Sequence, residues 1–190
     1  SITDGISLKS LADAYSSFAN SGEFLGSSII SKITQNGKTI YQKHSNKNRA
    51  MTDSTAYLIT DMLLSASSSG TAKRLKTLPF QIASKTGTVG MSNSTKNLYA
   101  INVSYTTNHT AICCFSGNNL PESVNGGTYP TMLAKDVFEH IYKTQKPQNF
   151  YIPSSVKTKS ISKENYKNNI ISTTDNPTDS ITEICSKTNL

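Results

Sequence analysis

Lys85-Thr86-Gly87-Thr88 puts a cation, two hydroxyls and a glycine in consecutive positions at the end of the strand-like run Phe80 to Thr88. Lys85 supplies a fixed positive charge, and Thr86 and Thr88 can donate hydrogen bonds to a carboxylate. Gly87 removes the side chain that would keep an extended substrate backbone from lying alongside. A backbone amide at the following position can stabilise a developing oxyanion. Taken together, these residues suit recognition of an anion beside a carbonyl under attack. A Lys-Thr-Gly tripeptide by itself also fits an ordinary strand running into a turn, so its context decides.

Other residue types with chemical potential do not converge. His44, His109 and His140 are scattered, and no HxxxH or CxxC spacing brings ligands together, so neither a metal nor a cofactor is expected. Cys113 and Cys114 are adjacent, which on a strand sends their side chains to opposite faces, and Cys185 leaves an odd number. The formal charge of +7 would favour polyanions. Yet the densest basic cluster, Lys73-Arg74-Leu75-Lys76, lacks the interleaved aromatics of a nucleic-acid surface and reads as a solvated helix face; no nucleic-acid partner is expected. No apolar run approaches the ~20 residues that span a bilayer, and the start SITDGISLKS lacks the basic and apolar regions of a signal peptide.

The elements that must position the Lys85 stretch are legible from periodicity. Leu8, Leu11, Ala12, Tyr15, Phe18 and Ala19 repeat at helical spacing from Ser7, a good N-cap, to about Asn20, with Gly22 as the stop. Ser28 to Thr34 and Lys38 to Lys43 flank Gln35-Asn36-Gly37, the strongest short-range hairpin signal. A second helix begins at Thr52 or Asp53, buries Ala56, Ile59, Met62 and Leu63, and gives way to a flexible connector from Ser65 to Gly70. Phe80 to Thr88, Asn97 to Thr106 and Thr110 to Ser116 read as strands of an antiparallel meander that turns at Thr107-Asn108-His109. Gly126-Gly127 precedes a last helix with Pro130 in its first turn and a buried stripe of Leu133, Val137, Phe138, Ile141 and Tyr142. Beyond Lys146 the chain is Lys, Ser, Thr and Asn with three prolines, the composition of a disordered tail. The fold class is therefore α+β: residues 1–145 form a domain, with the Lys85 strand and a two-stranded meander flanked by helices, and residues 146–190 form a polar tail.

Four blocks in order resemble the penicillin-binding proteins, the serine transpeptidases that cross-link bacterial peptidoglycan, and the bifunctional class A type most of all. The blocks are Leu11-Ala12-Asp13-Ala14-Tyr15 with Phe18-Ala19-Asn20-Ser21-Gly22; Thr55-Ala56-Tyr57-Leu58-Ile59-Thr60-Asp61-Met62-Leu63; Gly70-Thr71-Ala72; and Lys85-Thr86-Gly87-Thr88. The resemblance implies a β-lactamase/transpeptidase-like sheet between helices, with Lys85, Thr86, Gly87 and Thr88 walling one side of a cleft that takes peptidoglycan stem peptides and β-lactams. It also implies a parent protein at the extracytoplasmic face of the bacterial membrane. The family's nucleophile is the serine of a Ser-x-x-Lys motif, which forms an acyl-enzyme that an acceptor amine resolves.

This sequence departs from the pattern, because neither Ser-x-x-Lys nor Ser-x-Asn precedes Lys85. Ser154-Ser155-Val156-Lys157, Ser160-Ile161-Ser162-Lys163 and Ser116-Gly117-Asn118 fit the spacings only after the Lys-Thr-Gly stretch, in the wrong order. No catalytic nucleophile is therefore assigned, and the chain is expected to be the C-terminal part of a longer enzyme, inactive alone. Its sheet would then have an unpaired edge open to self-association. A non-catalytic wall-peptide-binding module, or a fragment of a related β-lactamase or D,D-carboxypeptidase, would show the same residues.

Overall fold

The computed structural model describes residues 5–44, 47–168 and 170–187. Helix α1, Leu8–Ala19, opens where the Ser7 hydroxyl accepts a hydrogen bond from the Ser10 amide at 3.0 Å. It closes on Ser21 and Gly22, both left-handed. Glycine is required at 22, because a Cβ there would stand 2.3 Å from the Met51 carbonyl oxygen. Strand β1, Glu23–Phe24, and β4, Asn48–Arg49, pair across this turn. Between them, β2, Lys32–Gln35, and β3, Lys38–Gln42, form the expected hairpin, and Asn36 and Gly37 both adopt the positive φ that a two-residue primed turn demands.

Helix α2, Asp53–Ser68, is capped by the Thr52 hydroxyl. It is longer than its sequence suggested. Ser65 to Ser68 remain helical, and the buried Ser67 hydroxyl donates to the Ile82 carbonyl at 2.5 Å, pinning the last turn to the chain ahead of the sheet. The buried face also differs from the apolar set expected: Ser54, Ala56, Thr60 and Ser67 are buried, whereas Met62 is exposed. Small and hydroxyl side chains here let the helix approach closely. A short 3-10 helix, Lys73–Thr77, then inserts Leu75 into the core and leaves its basic neighbours in solvent.

The central sheet is antiparallel and runs in the order β5, Ala83–Gly90; β6, Asn97–Tyr105; β7, Thr110–Leu120. One face packs on Leu75, Leu78 and Ile82 and on helix α3, Tyr129–Ile141, through Cys113, Ala134 and Phe138. The α3 stripe is rotated from the expected one. Phe138 is buried as expected, but Thr131 and Ala134 share its buried face while Leu133 and Ile141 are exposed. On the opposite face, fully buried Tyr105 receives the edges of Tyr15 and Phe150 and stands 3.0 Å from the Thr60 hydroxyl. Burial pushes its phenol well above the ordinary tyrosine range.

Residues 146–187, whose composition suggests disorder, contain regular structure. Strand β8, Val156–Ser162, pairs with β9, Ser180–Ser186, around a single-turn helix α4, Lys163–Lys167. Local capping substitutes for a large core. Ser162 donates to the Asp179 carboxylate at 2.5 Å and accepts from the Asn165 amide, Asp179 also takes the Glu164 amide at 3.1 Å, and Ile161 is buried.

Candidate functional site

The Lys85 stretch is the middle of β5, and period-two alternation divides it. Lys85, Gly87 and Val89 share one face, and Ser84, Thr86 and Thr88 the other. Lys85 is exposed, with its Nζ donating to the Thr86 carbonyl at 2.6 Å. A Cβ built on Gly87 would meet nothing nearer than the Ile101 Cβ at 4.0 Å, so the space beside this glycine is open. Val89 and its register partner Tyr99 are about half exposed on the same face. Strand β5 pairs with β6 along one edge, and among the described residues no strand pairs with the other edge of β5 or the outer edge of β7.

The two threonines are held from behind. Thr86 Oγ1 lies 2.7 Å from Thr71 Oγ1, which extends from the segment linking α2 to the 3-10 helix. Thr88 Oγ1 accepts the Gly126 amide at 3.0 Å, which leaves its own proton for another acceptor. The Gly126-Gly127 pair is a close-approach point. A Cβ at 126 would stand 2.6 Å from the carbonyl oxygens of Gly87 and Ile101, and one at 127 would stand 2.6 Å from the Thr71 carbonyl oxygen. Only glycines let this loop lie flat on both strands.

Beneath Thr86 is a buried polar cluster that sequence reasoning missed. Asn102, Ser84, Ser104 and Thr131 are each fully buried. The Asn102 amide donates to Ser84 and Thr131 at 2.9 Å each, Ser104 donates to Asn102 Oδ1 at 2.5 Å, and Thr131 donates to the Gly126 carbonyl at 2.6 Å. Among the described residues no buried side-chain nitrogen or oxygen is left without a partner. The available signal was a run of polar residues at alternate positions of predicted strands, facing a helix that begins after two glycines.

The structure separates the remaining candidates from this stretch. Ser160 lies in β8 and Ser154 just ahead of it, in the two-stranded sheet of residues 156–186, and Ser116-Gly117-Asn118 lies in β7. Cys113 is buried and Cys114 half-buried on the opposite face, both thiols raised by burial. Among the described residues no three His, Cys, Asp or Glu side chains gather into a metal-binding group, and no helix is long and apolar enough to cross a membrane. A cavity of about 510 Å³ lies elsewhere, bordered by Asp13, Leu25, Lys43 and Thr106, and none of residues 85–88 lines it.

The family model of the penicillin binding protein transpeptidase domain matches residues 1–142. The chain belongs to the penicillin-binding protein transpeptidase family. Penicillin-binding protein 1A/1B of Bacillus subtilis is 34% identical over 98 residues, which are 52% of this chain and 11% of that protein. Among solved structures, the penicillin-binding protein PonA1 of Mycobacterium tuberculosis superposes with a TM-score of 0.63 at 20% identity, covering 76% of this chain and 40% of that one. PonA1 in complex with penicillin V gives 0.62 at the same identity and coverage. The D,D-transpeptidase domain of a peptidoglycan glycosyltransferase from Eggerthella lenta gives 0.56 at 21% identity, covering 70% of this chain and 31% of that one. These similarities establish the α+β transpeptidase fold, and the chain spans less than half the length of each relative.

Proposed function

We propose that residues 1–145 are the C-terminal part of a serine-type D,D-transpeptidase domain, acting in peptidoglycan cross-linking at the extracytoplasmic face of the membrane, and that residues 146–190 are an appendage to it. Lys85, Thr86, Gly87 and Thr88 form its carboxylate-binding wall. The observation that carries this is an exposed Lys85 ammonium and two anchored threonines on one strand with open space beside Gly87. A stem peptide would lie along the free edge of β5, which side chains of both faces flank, its terminal carboxylate taken by the threonine hydroxyls on one face and drawn by the Lys85 ammonium on the other. The serine nucleophile of a Ser-x-x-Lys motif, which does not precede Lys85 in these 190 residues, would come from another part of the longer protein. It attacks the D-Ala-D-Ala carbonyl, the terminal D-Ala leaves as its amine takes up a proton, and an acceptor amine then displaces the serine oxygen from the acyl group. β-Lactams would acylate the same serine, their carboxylate held by the same wall.

A fluorescent penicillin tests this reading. It should label the longer protein covalently and leave the 190-residue chain unlabelled. Labelling of the chain at a serine would overturn the assignment of the nucleophile. An unlabelled longer protein that still binds stem peptide would mark a non-catalytic wall-peptide module. Rapid deacylation would point to the related β-lactamases or D,D-carboxypeptidases.

A further inference from the structure

We infer that Thr71 is a positioning residue for carboxylate recognition, fixing the direction in which the Thr86 hydroxyl donates; this rests on the carboxylate-wall reading above. Each hydroxyl carries one proton. With 2.7 Å between Thr71 Oγ1 and Thr86 Oγ1, one must donate to the other. A carboxylate accepts only, so when one binds at Thr86 the Thr86 proton goes to it, and Thr71 becomes the donor to Thr86. A filled acceptor position leaves Thr86 a directed donor and polarises its O–H toward the anion, strengthening the bond as linked hydrogen bonds do.

Thr71 is held for this task by its backbone. The Ala72 amide bonds back to the Ala66 carbonyl of α2 at 3.1 Å, and Gly70 is packed so closely that a Cβ there would stand 2.9 Å from the Ala66 backbone. On the other side Gly127 lies flat against the Thr71 carbonyl, and Arg74 Nε donates to the Gly127 carbonyl at 3.1 Å. The same double glycine seats Gly126 on β5 and gives Thr88 its amide donor. Thr71 and Gly126 thus brace the strand: one meets the Thr86 hydroxyl with its own, and the other donates its amide to Thr88.

The test is the second-order acylation constant of the longer protein for benzylpenicillin and for its methyl ester, which lacks the charged carboxylate. Thr71→Val, which removes the hydroxyl and keeps the shape, should lower the acid-to-ester ratio about fivefold, the scale of one hydrogen bond between neutral groups. Thr71→Ser should retain the ratio, and Thr71→Ala should repeat the valine result if the β-branched variant folds poorly. A merely structural role would lower both constants together and leave the ratio unchanged, which would overturn the inference. Thr86→Val separates the two levels. If it collapses the ratio and Thr71→Val does not, the inference fails alone; if Thr86→Val leaves the ratio intact, the carboxylate wall itself is misassigned.

Discussion

Replacing Asn102 with alanine removes the centre of the buried cluster behind the Lys-Thr-Gly strand. Three hydrogen bonds disappear: the two amide bonds to Ser84 and Thr131, and the one accepted from Ser104. At roughly 1 kcal/mol net for each, and with the Ser104 hydroxyl still able to donate to Ser84 Oγ at 3.0 Å, the loss is about 3 kcal/mol. That is a large part of the ~5–15 kcal/mol that holds a typical domain together. Equilibrium urea unfolding, followed by circular dichroism, measures it. Asn108→Ala in the exposed Thr107-Asn108-His109 turn is the comparison and should cost about 0.5 kcal/mol or less. If Asn102→Ala unfolds within about 0.5 kcal/mol of the parent, the cluster does not organise the strand and the argument from buried polar satisfaction fails.

Gly126→Ala should destabilise the protein by ~1–3 kcal/mol and slow β-lactam acylation of the longer protein, because the new methyl would sit 2.6 Å from two carbonyl oxygens. Gly87→Ala meets nothing closer than 4.0 Å within the protein, so its thermal melt should stay near the parent's while acylation falls; equal melting losses for both variants would contradict the contrast. Burial opposes ionisation of Asp13, but the Ser27 amide at 2.9 Å and the Lys9 ammonium at 2.9 Å outweigh it and hold its carboxyl below the ordinary aspartate range. A depressed folded value means that its stabilisation is present above the unfolded value near pH 4 and lost as pH falls through the folded one. Asp13→Asn should therefore flatten the decline in melting temperature below about pH 4, and an unchanged decline would count against it. The isolated chain should self-associate through the outer edges of β5 and β7, seen as concentration-dependent sedimentation, whereas a monomer at all concentrations would refute this.

Much of the fold was legible because local signals and tertiary packing agree. The Ser7 and Thr52 caps, the Asn36-Gly37 turn and the three meander strands are set by short-range chemistry, and they stand within a few residues of where periodicity puts them. Misreadings arose where packing substitutes polar for apolar residues. Helices α2 and α3 bury Thr60, Ser67 and Thr131 while Met62 and Leu133 face solvent. Strands β8 and β9 and helix α4 were not legible because side-chain caps around Ser162 and Asp179, rather than apolar periodicity, organise them. At the site, the Lys85-Thr86-Gly87-Thr88 stretch was visible as a motif. The partnership of Thr71 with Thr86 was not, because it joins residues 15 positions apart through hydroxyls that carry no periodic signal.

The central claim is that the ammonium of Lys85 recognises an anion during acyl transfer, and the acylation rate constant of the longer protein with and without that ammonium tests it most directly. Lys85→Ala should lower the second-order constant for benzylpenicillin by about 10² to 10³, the range of one preorganised charged contact in a transition state. An acylation constant equal to that of the parent would remove Lys85 from the chemistry and leave the strand a structural element only.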